Sequence, residues 1–371
     1  MSMMGIIFSD IYNEYLGELT KNRTLASLPF GGSYRIVDFP LSNMVNSGIT
    51  KVGVITKSNY QSLMDHLSHG EDWDLSASKN GGIYILPPFG QGQSQVYKGK
   101  IEALWGAISF LKHSTEEYVV LSDTYIVANI DYREVLKYHE EKGADITMIV
   151  HDEEVISKLD SKETVVKVEE DGRVADVMLN YNATGKAKVG LGTFILRRER
   201  LMNLIYEAMS FDRVHFERDI IQRKYNELNI YAYSFEGEVL NIDNVTNYYN
   251  ASMKLLDQKT RADLFRPEAP IYTKVKDEVP TLYEDHCVVK HSMIADGCVV
   301  DGYVENSVLF RGVKVKKGAV VKNCILMQDT DVGEDANLEC VITDKDVKIT
   351  QGKVLEGATE YPVIINKGTI V

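Results

Sequence analysis

From Cys287 onward the chain carries apolar residues at every sixth position, and few architectures accommodate that period. Ile294 and Val300 form one pair, Leu309, Val315 and Val321 a run, and Leu326, Val332 and Leu338 another, with Gly297, Gly302, Gly312, Gly318 and Gly333 at the turns. This hexapeptide periodicity predicts a β-helix, in which each coil presents one short strand per face and stacks small β-branched residues inward. A β-sandwich would not call for two uninterrupted runs of six.

Through the first two thirds, short apolar strands alternate with helical patterns, which predicts a three-layer α/β domain on a mainly parallel sheet. Gly5–Phe8 reads as a first buried strand, Lys51–Ile55 as a second and Glu117–Leu121 as a central one. Ile101, Leu104, Trp105, Ile108 and Leu111 fall at helical spacing over Lys100–Lys112, so this segment is expected as a packed helix with Trp105 in the core. Pro267, Pro270 and Pro280 mark a connecting stretch. The expected division is an α/β domain over residues 1–254, a linker over 255–286 and the β-helix over 287–371.

A chain of 371 residues with 44% hydrophobic residues can fill two cores. Its net charge of −13 argues against nucleic acid or an anionic membrane as partner, because both attract basic patches. There is no long apolar run and no signal-peptide pattern. Cys287, Cys298, Cys324 and Cys340 are too widely spaced for a zinc pair or a redox C-x-x-C, and they read as buried thiols of a cytoplasmic protein.

The segment Leu19-Thr20-Lys21-Asn22, followed by Pro29-Phe30-Gly31-Gly32-Ser33-Tyr34-Arg35-Ile36-Val37-Asp38-Phe39-Pro40, resembles bacterial ADP-glucose pyrophosphorylase (glucose-1-phosphate adenylyltransferase). Val45-Asn46-Ser47-Gly48-Ile49, Tyr97-Lys98-Gly99 and Phe216-Glu217-Arg218-Asp219-Ile220-Ile221 add further landmarks, and the likeness covers nearly the whole chain. It implies a Rossmann-like nucleotidyltransferase domain followed by a left-handed parallel β-helix. Asp10, Glu14, Lys21, Gly31, Gly32, Tyr97 and Gly99 are then what remains of the nucleotide-binding site.

The departures concern chemistry. Where the family has a loop of the form G-G-x-G-x-R-L-x-x-L-T, this chain reads Asp10 to Thr20 without a gap; the loop glycines are gone and Tyr15 stands at the arginine. A loop that cradles a triphosphate needs glycines so that backbone N–H groups approach the oxygens, and a cation where charge builds up. The family's phosphate lysine in its K-P pair corresponds to Leu25, and that of its E-K-P motif to Asn180. Of the two aspartates that hold Mg²⁺ in the family, one corresponds to Asn241, with Asp243 two residues away, and the other falls near Asp123. Asp123 is either a displaced ligand or a turn residue closing the central strand.

The resemblance therefore implies a non-catalytic, regulatory D-type subunit. It would act with a catalytic glucose-1-phosphate adenylyltransferase subunit in a heterotetramer, with Mg²⁺ in the partner and no cofactor of its own. Two alternatives stand beside it: an active nucleotidyltransferase using Lys21 or Arg23 for phosphate and Asp123 with Asp243 for metal, and a free-standing nucleotide or sugar-phosphate sensor. Arg311, Lys314, Lys316 and Lys317 cluster on one coil, as a solvated face or as a site for a small anionic effector.

Overall fold

Leu309, Val315 and Val321 enter one shared interior from three different walls, and Leu326, Val332 and Leu338 repeat the arrangement one coil later. In the computed structural model, residues 2–10, 13–75, 81–88, 97–155, 163–179 and 185–371 are described. They form two compact units: Met1–Ile11, Phe39–Tyr60 and Leu67–Val239 make up the first, and Tyr12–Asp38, Gln61–His66 and Leu240–Val371 the second.

The second unit carries the left-handed parallel β-helix. Three five-stranded parallel sheets form its walls, and each hexad contributes one short strand to one wall. Corners need left-handed backbone, and His291, Asn306, Asn323 and Cys340 supply it at one corner of successive coils. Three of the four cysteines, Cys298, Cys324 and Cys340, are buried, Cys287 is half-buried, and all four are free thiols. Of the stretch expected as a linker, Gln258–Leu264 is a helix capped by Asp257, and Leu282–Tyr283 already pairs with Val299–Val300 as the first β-helix strand. No helix or strand lies between them.

The first unit is built on a nine-stranded mixed sheet. Its parallel part runs in the order β3 (Gly82–Leu86), β2 (Lys51–Ile55), β1 (Met3–Phe8), β4 (Tyr118–Asp123). β1 is buried on both faces and reads as a continuous apolar run, as parallel strands between helices must. Beyond β4 the long strand β5 (Gly185–Arg197) joins antiparallel and brings the remaining strands with it.

Two sequence expectations change in this unit. The segment 100–112 is two helices, α1 (Lys100–Gly106) and α2 (Ile108–Lys112), separated at Ala107. Trp105 is not in the core: it is 39% exposed and packs edge-on against Tyr206, because Ile101, Leu104 and Leu111 already fill the buried stripe. Among the described residues no helix is long and apolar enough to cross a membrane.

Candidate functional site

In an open α/β sheet, ligands bind beyond the carboxyl ends of the parallel strands. At the ends of β1 and β4 this chain places Asp10 and Asp123. Asp10 is driven up to about 6 by burial, against the pull of Lys57 and the backbone N–H groups of Ser58 and Lys57. Its Oδ2 is buried without a hydrogen-bond partner among the described residues.

Asp123 is the last residue of β4, in register with Phe8, so it belongs to the strand rather than to a turn after it. Its Oδ2 accepts a 2.6 Å hydrogen bond from Lys100 Nζ, and Lys100 also pairs with Glu217. Burial works against the Lys100 charge, but the carboxylates of Asp123 and Glu217 outweigh it and hold the ammonium above the ordinary lysine value. Gly192 lies against the same carboxylate with φ of +63°, where a Cβ would collide with Asp123. Gly99 is demanded by close approach, since a Cβ there would strike the Val214 carbonyl. Tyr97 packs against the core and donates to the Pro87 carbonyl.

The Mg²⁺ implied by the resemblance does not fit these residues. Asp123 is occupied by an internal ammonium, and among the described residues no group of three or more histidine, cysteine or carboxylate side chains is placed to hold a metal ion. In the second unit, Asn241 offers only an amide at the end of Leu240–Asn241. Asp243 lies after that strand rather than in it, and its Oδ1 accepts from the amides of Asn244 and Asn247.

Of the stretch that corresponds to the glycine loop, Asp10 and the residues from Asn13 onward are among those described. Asn13–Thr20 winds into 3₁₀ turns, Thr20 Oγ1 donates to the Asn13 carbonyl and the Leu25 N–H donates to Asn13 Oδ1. Glu14 and Tyr15 are exposed, Leu25 is fully buried, and Lys21 pairs with Glu18 on the surface. Gly31 and Gly32, both at positive φ, form the turn between the paired strands Pro29–Phe30 and Tyr34–Arg35. Arg23 is buried against Asp344, with Nη2 2.7 and 2.8 Å from its two carboxylate oxygens. Asn180 lies outside the described residues.

The second unit also holds a cavity of about 200 Å³ lined by Arg35, Lys274, Lys276, Arg311 and Lys345, with Asp65 as the carboxylate in the lining. His66 Nε2 lies 2.6 Å from Asp38 Oδ1 at its edge, and burial lowers its pKa. Burial, and then Arg35, Arg23 and Lys276, press Lys345 down to about 8. Arg311 has a buried Nε–H with no acceptor among the described residues. Of the predicted basic cluster, Arg311 lines this cavity; Lys314, Lys316 and Lys317 are exposed outside it, with Lys316 paired to Asp331. Sequence reasoning missed Lys274, Lys276 and Lys345, which act with residues of distant segments, and missed Lys100, whose partners Asp123 and Glu217 lie far along the chain. A cleft of about 510 Å³ in the first unit, lined by Arg197 and Arg200 among others, has those cations already paired with Glu117 and Asp145.

The sheet, its crevice and the hexapeptide walls define a nucleotidyltransferase scaffold. Residues 12–258 match the nucleotidyl transferase family and residues 279–359 the GlmU-like C-terminal hexapeptide family. The chain is 36% identical over 368 residues to the glycogen biosynthesis protein GlgD of Bacillus subtilis (strain 168), covering 99% of this chain and 96% of the relative. It is 39% identical over 370 residues to GlgD of Geobacillus stearothermophilus, covering 99% and 97%. A glucose-1-phosphate adenylyltransferase of Clostridium perfringens (strain SM101 / Type A) is 32% identical over 337 residues, covering 89% and 85%. The chain belongs to this nucleotidyltransferase family of glucose-1-phosphate adenylyltransferases and the related GlgD proteins.

Proposed function

We propose that this chain is a regulatory, non-catalytic subunit that works with a catalytic glucose-1-phosphate adenylyltransferase in glycogen biosynthesis. The observation that carries the reading is the replacement of the phosphate loop: helical turns over Asn13–Thr20 without the loop glycines, and a buried Leu25 at the lysine position. Each lost group stabilises charge that exists only in the transition state, and removing even one oxyanion-type donor typically costs about 10²–10³ in rate. Loss of several together leaves no route to adenylyl transfer. The Mg²⁺ and the chemistry then belong to the partner, in a mixed tetramer.

The cationic cavity supports a regulatory role in the same subunit. Five cations around one carboxylate, in a space of about 200 Å³, suit a small phosphate-bearing effector. The test is purification of the chain alone and with an intact-motif catalytic homologue. We expect no pyrophosphate from ATP and glucose 1-phosphate for the chain alone, a mixed complex by light scattering, and altered maximal rate or effector response of the catalytic subunit. Turnover by the chain alone, or separate elution with unchanged kinetics of the catalytic homologue, would overturn the reading.

A further inference from the structure

We propose that the Lys100 ammonium is a built-in cation that takes the place of a divalent metal at Asp123 and keeps the crevice closed to one. Lys100 and Asp123 are both almost fully buried, the ammonium lies between the Asp123 and Glu217 carboxylates, and Asp123 Oδ1 has no hydrogen-bond partner among the described residues. Lys100 thus holds one oxygen of this carboxylate, and the other has no donor or cation among the described residues. A divalent ion here would bring water ligands with it, because Mg²⁺ keeps several. The surroundings offer that shell no oxygen on two sides: the rings of Phe8 and Phe194 lie 5.5 and 5.8 Å from Nζ. An ammonium is suited to such aromatic faces, which attract its charge without hydrating it.

A buried carboxylate beside a partly buried one repels it when no counter-charge is present, and the buried one is costly to desolvate. Lys100 therefore does for the fold what the metal would otherwise do, and the unit requires no divalent ion for stability. This inference does not depend on whether the chain assembles with a catalytic subunit. It concerns a positioning role, in which Lys100 acts through Asp123 and Glu217.

The experiment follows Mn²⁺ binding by electron paramagnetic resonance and melting temperature with and without Mn²⁺, on the full chain. Wild type should bind no Mn²⁺ that depends on Asp123, and its melting temperature should be the same with and without the ion. Lys100→Ala, which vacates the ammonium position, should melt several degrees lower, bind an additional Mn²⁺ and recover stability when it is added. Lys100→Ala/Asp123→Asn should bind none. Lys100→Met, which keeps the volume without the charge, should be destabilised, and Lys100→Met/Asp123→Asn should recover much of the loss. If neither single variant folds, recovery in the Lys100→Met/Asp123→Asn chain supports the proposal and its failure overturns it. Asp123-dependent Mn²⁺ binding by wild type, or a Lys100→Met chain as stable as wild type, would also overturn it.

Discussion

The crevice of the first unit and the cavity of the second hold their charges in opposite ways. Around the crevice the ammonium of Lys100 is matched by Asp123 and Glu217 inside the fold. Around the cavity, Arg35, Lys274, Lys276, Arg311 and Lys345 face a void with Asp65 as the carboxylate in the lining, and their mutual repulsion helps lower Lys345 to about 8. Charge cancelled internally serves folding. Cations crowded around a space oppose folding, and such local violations concentrate at functional sites. By this criterion the crevice has become structure, and the cavity is the place for the effector site proposed above.

The comparison is sharpest where cancelled and uncancelled cations lie in the same unit. Arg23→Met strips Asp344 of its buried partner, and a loss of about 3–5 kcal/mol is expected from urea unfolding. A loss below about 1 kcal/mol would put Arg23 in the class of a surface pair and break the contrast. Lys345→Met should do the reverse. Phosphate binding measured by calorimetry should weaken by about tenfold or more, the usual cost of one charged hydrogen bond, while stability at pH 7 stays level or rises.

The pH dependence has a definite sign. Lys345 is charged below about 8 and neutral above it, so phosphate affinity of the wild type should fall as pH rises through about 8. In the Lys345→Met chain that step should disappear. An affinity indifferent to pH between 7 and 9 would remove Lys345 from the site.

The smallest effect concerns Asp10. Its carboxyl titrates at about 6 when folded against 3.8 ordinarily, so the folded state binds the extra proton between those values and its stability falls as pH rises through them. Asp10→Asn should therefore be more stable than wild type at pH 7 by on the order of 1 kcal/mol, discounted for partial exposure from about 1.4 kcal/mol per unit. The gain should vanish below about pH 4, which paired denaturation curves at the two pH values would reveal.

Much of the fold was legible because its signals are local. Each hexad places one residue on one wall, so Leu309, Val315 and Val321 announce a coil without any knowledge of distant partners. The strands Lys51–Ile55 and Gly5–Phe8 were visible for the same reason. Trp105 misled because helical spacing states which face a residue is on, not whether that face is already full. The site was harder to read. Loss of loop glycines and of a metal aspartate is visible in a motif, but the substitute cation is not, since Lys100 and Glu217 are 117 positions apart. The cavity draws Arg35, Lys274, Arg311 and Lys345 from four separate segments, and no window of sequence contains the pattern.

The Arg23–Asp344 pair has a consequence in time. The two residues are separated by 321 positions, and both belong to the second unit. At roughly 5–20 residues per second of synthesis, Arg23 leaves the ribosome about 15–60 s before its counter-charge exists. During that interval residues 13–38 carry an arginine with nowhere to be buried, while the β-helix walls are still being made. Residues 13–38 are thus among the last parts to settle, and a polypeptide released short of Asp344 would display its unfinished state there, a few residues beyond an opening strand that needs only Lys51–Ile55 and Tyr118–Asp123 to pair.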